Sequence, residues 1–201
     1  MKTLSWNVRD LGKIQTVRRL RNKLREIRPD VVFFMEIKLS DVRMARVRRQ
    51  LGFSQGFDVS SNGSCGGLSL AWNREVSVSL KSFSISHIDA DITVASSSLV
   101  WRFTGFYGNP VESLRRDSWN LLRSLGEDQS LPWLVMGDFN EILLSSEKEG
   151  GRLRSNRNME AFWQALEDCD LMDLGFSGQW YTWEKGRLST NVIRERLDMG
   201  C

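Results

Sequence analysis

Leu131-Pro-Trp-Leu-Val-Met-Gly-Asp-Phe-Asn140 is the stretch on which the reading of the fold turns. Pro132 and Trp133 open it, an apolar run follows, and Gly137 breaks that run ahead of Asp138, Phe139 and Asn140. A short apolar run bounded by breakers reads as a strand buried on both faces. A strand that ends in polar residues delivers them to the rim of a sheet, where α/β folds place their sites. Alternation sends Asp138 and Asn140 to one side and Phe139 to the other. An acid and an amide two residues apart can serve a hard cation and a phosphate oxygen together. By spacing alone they read first as turn formers, so the rest of the chain has to decide.

Working outward, Thr3-Leu-Ser-Trp-Asn-Val8 reads as a short strand ending near Asn7. Ile14, Val17, Leu20, Leu24 and Ile27 recur at helical spacing with arginines between them, giving a helix over 13–27 that stops before Pro29. Val31-Val-Phe-Phe-Met35 is a second apolar strand, ending at Glu36. Strand, helix, strand implies a parallel crossover, which puts both C-terminal strand ends on one edge. Asn7 and Glu36 are therefore expected to be neighbours. A basic amphipathic helix over 41–51 follows. Antiparallel strands are expected over 66–72, 76–83, around His87 and over 100–107. His87, among Ser86, Asp89 and Asp91, reads as a surface residue. A helix over 113–125 carries Leu114, Trp119, Leu121, Leu122 and Leu125 on or near its buried side. A second helix, over 159–169, buries Met159, Phe162, Trp163 and Leu166. Short strands are expected over 171–174 and 180–183. The eight tryptophans read mostly as core.

At 201 residues, 41% hydrophobic and 26% charged, the chain is expected to form a single globular domain, 1–201. No run of eighteen apolar residues suggests a membrane span, and the N-terminus lacks the apolar segment of a signal peptide. The reading is a nuclear or cytoplasmic protein, not secreted and without a membrane role. Cys65, Cys169 and Cys201 are scattered, and with His87 as the one histidine they suggest neither a disulfide framework nor a zinc site. Half of the 28 lysines and arginines fall in the first fifty positions, against five acids. That asymmetry fits a surface for a polyanion and fits a solvated helix face equally well.

The polar residues at expected strand ends are Asn7, Glu36, Tyr107, Asp138, Asn140, Thr182 and Asp198. At Ser5-Trp-Asn7, Met35-Glu-Ile-Lys38, Tyr107-Gly108, Gly137-Asp-Phe-Asn140, Tyr181-Thr-Trp183 and Arg196-Leu-Asp198 the sequence resembles the endonuclease/exonuclease/phosphatase (DNase I-like) family. The motifs appear in family order and span the chain. The resemblance extends to the endonuclease domains of plant LINE-type non-LTR retrotransposons at Gly66-Gly-Leu68, Trp101-Arg-Phe-Thr-Gly-Phe-Tyr-Gly108, Leu131-Pro-Trp133 and Ser146-Glu-Lys-Glu-Gly-Gly151.

The resemblance implies a four-layer α/β sandwich, two mixed β-sheets packed face to face with helices outside. It also implies metal-dependent phosphodiester hydrolysis by a monomer that binds DNA, with RNA as the alternative. Glu36 would be the principal ligand of Mg²⁺ (or Mn²⁺), helped by Asn7. Tyr107 would contact the scissile phosphate, Asp138 orient or deprotonate the attacking water, and Asn140 hold a phosphate oxygen. Asp198 would support the catalytic centre, Thr182 would lie behind it, and Arg9, Lys13 and Lys38 would meet the nucleic acid. The chemistry asks for these types independently, since Mg²⁺ bound through one or two carboxylates keeps water and phosphate in its other positions. The family ends on a Ser-Asp-His motif, which this sequence does not reach before Cys201. The expectation is a chain truncated before its last strands, with impaired nicking. The alternatives are a nucleic-acid-binding remnant without turnover and, less well supported by the motifs, hydrolysis of a phospholipid or inositol phosphate.

Overall fold

The computed structural model describes residues 1–61, 66–95, 97, 99–186 and 191–201. Cys65 lies outside these. The chain forms two compact units, Met1–Phe106 with Leu131–Gly137, and Tyr107–Ser130 with Asp138–Cys201. The class is α/β, with two main mixed sheets flanked by helices, as the sequence implies.

In the first unit β1 (Thr3–Asn7) pairs parallel with β2 (Val31–Met35), with Asn7 opposite Met35. The crossover between them is α1 (Ile14–Ile27). After α2 (Asp41–Leu51), two further strands complete the sheet in the order β1-β2-β4-β3, namely β3 (Gln55–Val59) and β4 (Leu68–Trp72). The sequence reading missed β3, whose Gln55, Gly56 and Asp58 obscure any strand pattern. Ser40 caps α2 by accepting the Arg43 N–H, and Gly52 ends it in the left-handed region. Arg28, the residue before Pro29, does the same for α1.

All five residues of β2 are buried because both of its faces are covered. Val32 and Phe34 face α1 and α2, joining Val17, Leu20, Leu24, Met44 and Leu51 in one core. Phe33 points the other way, into a second sheet. That sheet contains β5 (Val76–Phe83), β6 (His87–Val94), β7 (Val100–Tyr107) and β8 (Trp133–Asp138), in the order β8-β7-β6-β5. The Phe33 ring meets Phe103 of β7 edge-on at 6.2 Å. β6 is antiparallel to both β5 and β7. The Arg102 N–H bonds to Pro132 O and the Gly108 N–H to Asp138 O, a constant offset that makes β8 parallel to β7.

Two of the motifs quoted from this unit turn out to be bracing between strands. Arg102 makes a bidentate pair with Asp89, and Thr104 donates to the same carboxylate at 2.7 Å. Trp133 Nε1 donates to Thr104 Oγ1, and the Arg102 guanidinium lies 4.7 Å from the Trp133 ring. The first arm is interior and the second half-buried, and together Trp101-Arg-Phe-Thr104 and Leu131-Pro-Trp133 tie β7 to β8.

The second unit holds α3 (Arg115–Gly126), preceded by a 3₁₀ turn at Glu112–Leu114, and α4 (Asn156–Asp168). Its strands β9 (Lys148–Glu149), β10 (Trp183–Lys185) and β11 (Ile193–Glu195) form a small sheet, β10-β11-β9. β12 (Asp198–Gly200) follows. Trp119 of α3 stacks on Phe162 of α4 with centroids 4.5 Å apart, and Phe139 leans on Phe162 at 5.2 Å.

Several local expectations fail, each for a tertiary reason. Ile14, Leu114 and Trp163 fit their helical patterns but are 71%, 45% and 51% exposed, because each lies at the end or margin of its helix's contact stripe. Leu171–Leu174 is no strand: Met172 and Leu174 project outward. β8 is buried on one side only over its first half. Of the tryptophans, only Trp101 and Trp119 are buried. His87 is buried, not superficial, with Ser84 Oγ 2.8 Å from Nδ1 and Ser82 Oγ 3.0 Å from Nε2. Burial pushes its pKa below the usual value and Arg102 adds to this, against the pull of Asp89. Among the described residues no helix is long and apolar enough to cross a membrane.

Gly105 marks a close approach of the two sheets, where a Cβ would overlap the Phe33 ring. Gly105→Ala is expected to cost about 1–3 kcal/mol in urea melts. Adding Phe33→Leu should recover part of that loss, because the two sites share one space.

Candidate active site

In the first unit the register of β1 on β2 sets Asn7 beside the residue that precedes Glu36, and Asn7 Nδ2 donates to Glu36 Oε1 at 2.9 Å. The Asn7 Oδ1 accepts the Arg9 N–H at 3.3 Å. Glu36 itself has φ 53°, Lys38 54°, Arg9 52° and Asp10 125°. A left-handed conformation costs an ordinary side chain about 1–2 kcal/mol, so four such residues in two neighbouring loops signal a backbone that its surroundings hold in place. The restraints are main-chain bonds. The Val8 N–H binds Met35 O, the Leu11 N–H binds Ile37 O, and the N–H groups of Ile37 and Lys38 bind the carbonyls of Gly67 and Gly66. Gly66-Gly-Leu68 is thus the strap that fixes the Glu36 loop. Lys38 Nζ lies 4.0 Å from Glu36 Oε2, and the Glu36 side chain is 23% exposed. Arg9 and Lys13 are exposed.

In the second unit Asp138, Asn140 and Gly108 lock one another. The Asn140 N–H donates to Asp138 Oδ1 at 2.9 Å, and its Nδ2 donates to Gly108 O at 2.8 Å. A Cβ on Gly108 would collide with the Phe139 carbonyl, so the Tyr107-Gly108 motif needs glycine for close approach. Asn140 has φ 57°, a conformation that Asn tolerates. Asp138 is 5% exposed, and Tyr107 is half-buried at the end of β7. The Phe139 N–H binds Leu197 O. Thr182 Oγ1 accepts the N–H groups of Leu197 and Asp198 at 3.0 and 3.1 Å, so Thr182 fixes the half-buried Asp198 through the main chain.

Behind this elbow lies a charged network that the sequence reading did not find. Arg154 donates to both oxygens of Glu195 at 2.9 Å and to the Asn140 carbonyl at 3.3 Å. Lys148 adds a 2.6 Å bond to Glu195. Arg115 pairs with the fully buried Glu141 at 2.6 Å. Arg196 bridges Glu147 and Asp173, while the other Glu147 oxygen accepts the N–H groups of Leu143 and Leu144. The signal was available. Glu147-Lys-Glu149 and Arg194-Glu-Arg196 are complementary triplets, and β9 and β11 pair them antiparallel. Burial raises the Glu195 pKa, but the bonds from Arg154 and Lys148 outweigh it and hold the carboxyl below its usual range. Asp173 is held down in the same way by Arg196. Cys169 and Cys201 are buried free thiols, the latter pushed up to about 12 by burial.

Residues 4–198 match the Endonuclease/Exonuclease/phosphatase family. The chain belongs to that family. No curated protein matches it in sequence. Among solved structures it is similar to the 3′ phosphatase NExo from Neisseria bound to a product DNA hairpin, at 18% identity over 98% of this chain and 84% of that one, with a TM-score of 0.71. It is also similar to the endonuclease domain of TRAS1, a telomere-specific non-LTR retrotransposon, at 12% identity over 98% and 83%, TM-score 0.70. An AP endonuclease from Archaeoglobus fulgidus shares 16% identity over 98% and 84%, TM-score 0.68. At these identities the likeness is one of fold.

Among the described residues no group of three or more His, Cys, Asp or Glu side chains is arranged to hold a metal. What the first unit of this family member offers is one carboxylate beside one carboxamide. That donor set fits Mg²⁺ or Mn²⁺ held through a single carboxylate with water in the remaining positions. Asn7 turns its NH₂ toward Glu36, so direct ligation by its oxygen requires the amide to rotate; otherwise Asn7 orients Glu36.

A carboxyl whose folded pKa is depressed contributes stability that is present above its unfolded pKa and lost as pH falls through the folded value. Glu195→Gln leaves Lys148 and Arg154 facing each other and should cost about 3 kcal/mol at pH 7. The gap to the wild type should narrow as pH drops below about 4. Urea melts at pH 7 and pH 3 measure this, and a gap that does not change with pH would refute the assignment.

Proposed function

We propose that the protein is a divalent-metal-dependent DNA-nicking endonuclease of the LINE retrotransposon type. The observation that carries the reading is Glu36: a glutamate in a costly backbone conformation, held by the Gly66-Gly67 strap and turned onto Asn7. Such strain is retained where a side chain has to be aimed. The plant LINE-type motifs and the DNA named with the Neisseria structure support the choice of substrate, with RNA as a less favoured one.

In this reading Glu36 would hold Mg²⁺ or Mn²⁺, and Asn7 orients the Glu36 carboxylate. The bound cation supplies charge neutralisation as the phosphodiester is attacked. Asp138, its carboxylate fixed by the Asn140 N–H, positions the attacking water and draws off its proton. Asn140 keeps a second amide hydrogen beyond the one given to Gly108, and with Tyr107 it donates to phosphate oxygens. Asp198 supports the centre, and Thr182 sets its position. Arg9, Lys13 and Lys38 meet the DNA backbone, whose binding weakens with salt. The protein acts as a monomer, in the nucleus or cytoplasm.

The alternative reading is DNA binding without turnover, which rests on the surplus of lysine and arginine in the first fifty residues, a surface that suits a polyanion by itself.

Relaxation of supercoiled plasmid by residues 1–201 separates the two. The first reading expects nicking with Mg²⁺ that EDTA abolishes, reduced at least about 100-fold in Glu36→Gln and in Asp138→Asn, with DNA retention unchanged in Asp138→Asn. Nicking that persists in both variants would sink it. DNA retention with no nicking in the wild type establishes the second reading.

A further inference from the structure

The outer faces of α1 and α2 do not close on each other. They leave a groove of about 530 Å³ in the first unit, open to solvent. Its walls are arginine: Arg18 and Arg21 from α1, Arg43 and Arg46 from α2. In each helix the two stand three residues apart, which sets them on one face. None of the four pairs with a carboxylate among the described residues, and no acid lines the groove. The Arg21 Nε–H is buried without an acceptor, a donor the fold leaves unmet.

The floor is of the opposite character. Leu11 and Val17, both buried, are flanked by the partly buried Val47, and Ile14 stands 71% exposed at the rim. A phosphodiester backbone would satisfy the arginines but has nothing apolar to set on this floor. A carboxylate-bearing helix with one apolar stripe satisfies both at once. Helices of 14 and 11 residues run for about 21 and 16 Å, so the walls suit an occupant of three to four turns.

We propose that the α1–α2 groove is a docking site for an acidic amphipathic helix of a protein partner, its apolar stripe on Ile14 and Val47 above the buried Leu11 and Val17 and its carboxylates on the two arginine rows. None of the residues lining the groove is assigned to hydrolysis, and the proposal does not depend on that assignment.

The probe is a fluorescein-labelled peptide of about fourteen residues, leucines at i, i+3, i+4 and i+7 with glutamates between them, titrated with the full chain by anisotropy. Saturable binding is expected, weakened at least about tenfold in the double variant Arg18→Glu/Arg43→Glu and several-fold in Ile14→Ser. All three substituted residues are exposed, so far-UV circular dichroism should not change. A scrambled peptide that disperses the leucines around the helix should lose most of the affinity. The proposal is overturned if the designed peptide does not bind at about 1 mM, or if the scrambled peptide binds as tightly. It is also overturned if a short DNA duplex, and not the peptide, loses affinity in Arg18→Glu/Arg43→Glu and Ile14→Ser, which would give the groove to nucleic acid.

Discussion

Glu36 and Asn140 each leave a strand in a left-handed conformation, and the loops around them are built to hold that turn. For Glu36 the holding is done by main-chain bonds from the segments 8–11 and 66–67. For Asn140 it is done by its own three polar groups: N–H to Asp138, amide to Gly108, carbonyl to Arg154. For Glu36 a backbone strain of about 1–2 kcal/mol is outweighed by bonds that form only in that geometry, and for Asn140, a residue type that tolerates the turn, the bonds fix it. The side chains are therefore aimed by the loops that carry them.

The second unit depends on buried charge to a degree unusual for so small a structure. Glu141, Glu147 and Glu195 are all at most 5% exposed, and each meets an arginine. Buried pairs of this kind add little net stability, because desolvation offsets much of the attraction, but breaking one is costly. What they supply is register. A slip of β11 against β9 by one residue would set Arg194-Glu-Arg196 against like charges of Glu147-Lys-Glu149, so only one pairing is tolerable. That register places Arg196-Leu-Asp198 where Thr182 can pin it and where Leu197 can bond to Phe139. The motif Ser146-Glu-Lys-Glu-Gly-Gly151 is thus a brace for the elbow at Asp138–Asn140, and its role is mechanical.

The first unit uses the opposite means. Both faces of β2 are buried under apolar side chains, and the unit's buried ion pairs, Arg102–Asp89 and Arg48–Asp58, are local ties between neighbouring elements. Charge appears in quantity on its outside, on α1 and α2. There Arg18, Arg21, Arg43 and Arg46, with no carboxylate partner among the described residues, flank the exposed Ile14.

How much of this could be read in advance follows from the range of the forces involved. The apolar run of β2, the helical period of 17, 20 and 24, the breaks at Pro29 and Gly52 and the parallel pairing that joins Asn7 to Glu36 are set by local pattern, and the sequence by itself determined them. It also determined the family, because ordered short motifs survive where overall identity does not. Burial at element margins was decided only by the tertiary structure: Ile14, Leu114 and Trp163 satisfy a helical period, yet which flank of a helix is covered depends on its neighbours. The placement of His87 between two serines, the strand at 55–59 and the mesh of Arg115, Arg154 and Arg196 with their glutamates were likewise fixed in three dimensions. Those contacts join residues up to 49 positions apart, and a charge carries no periodicity that names its partner until the chain has folded.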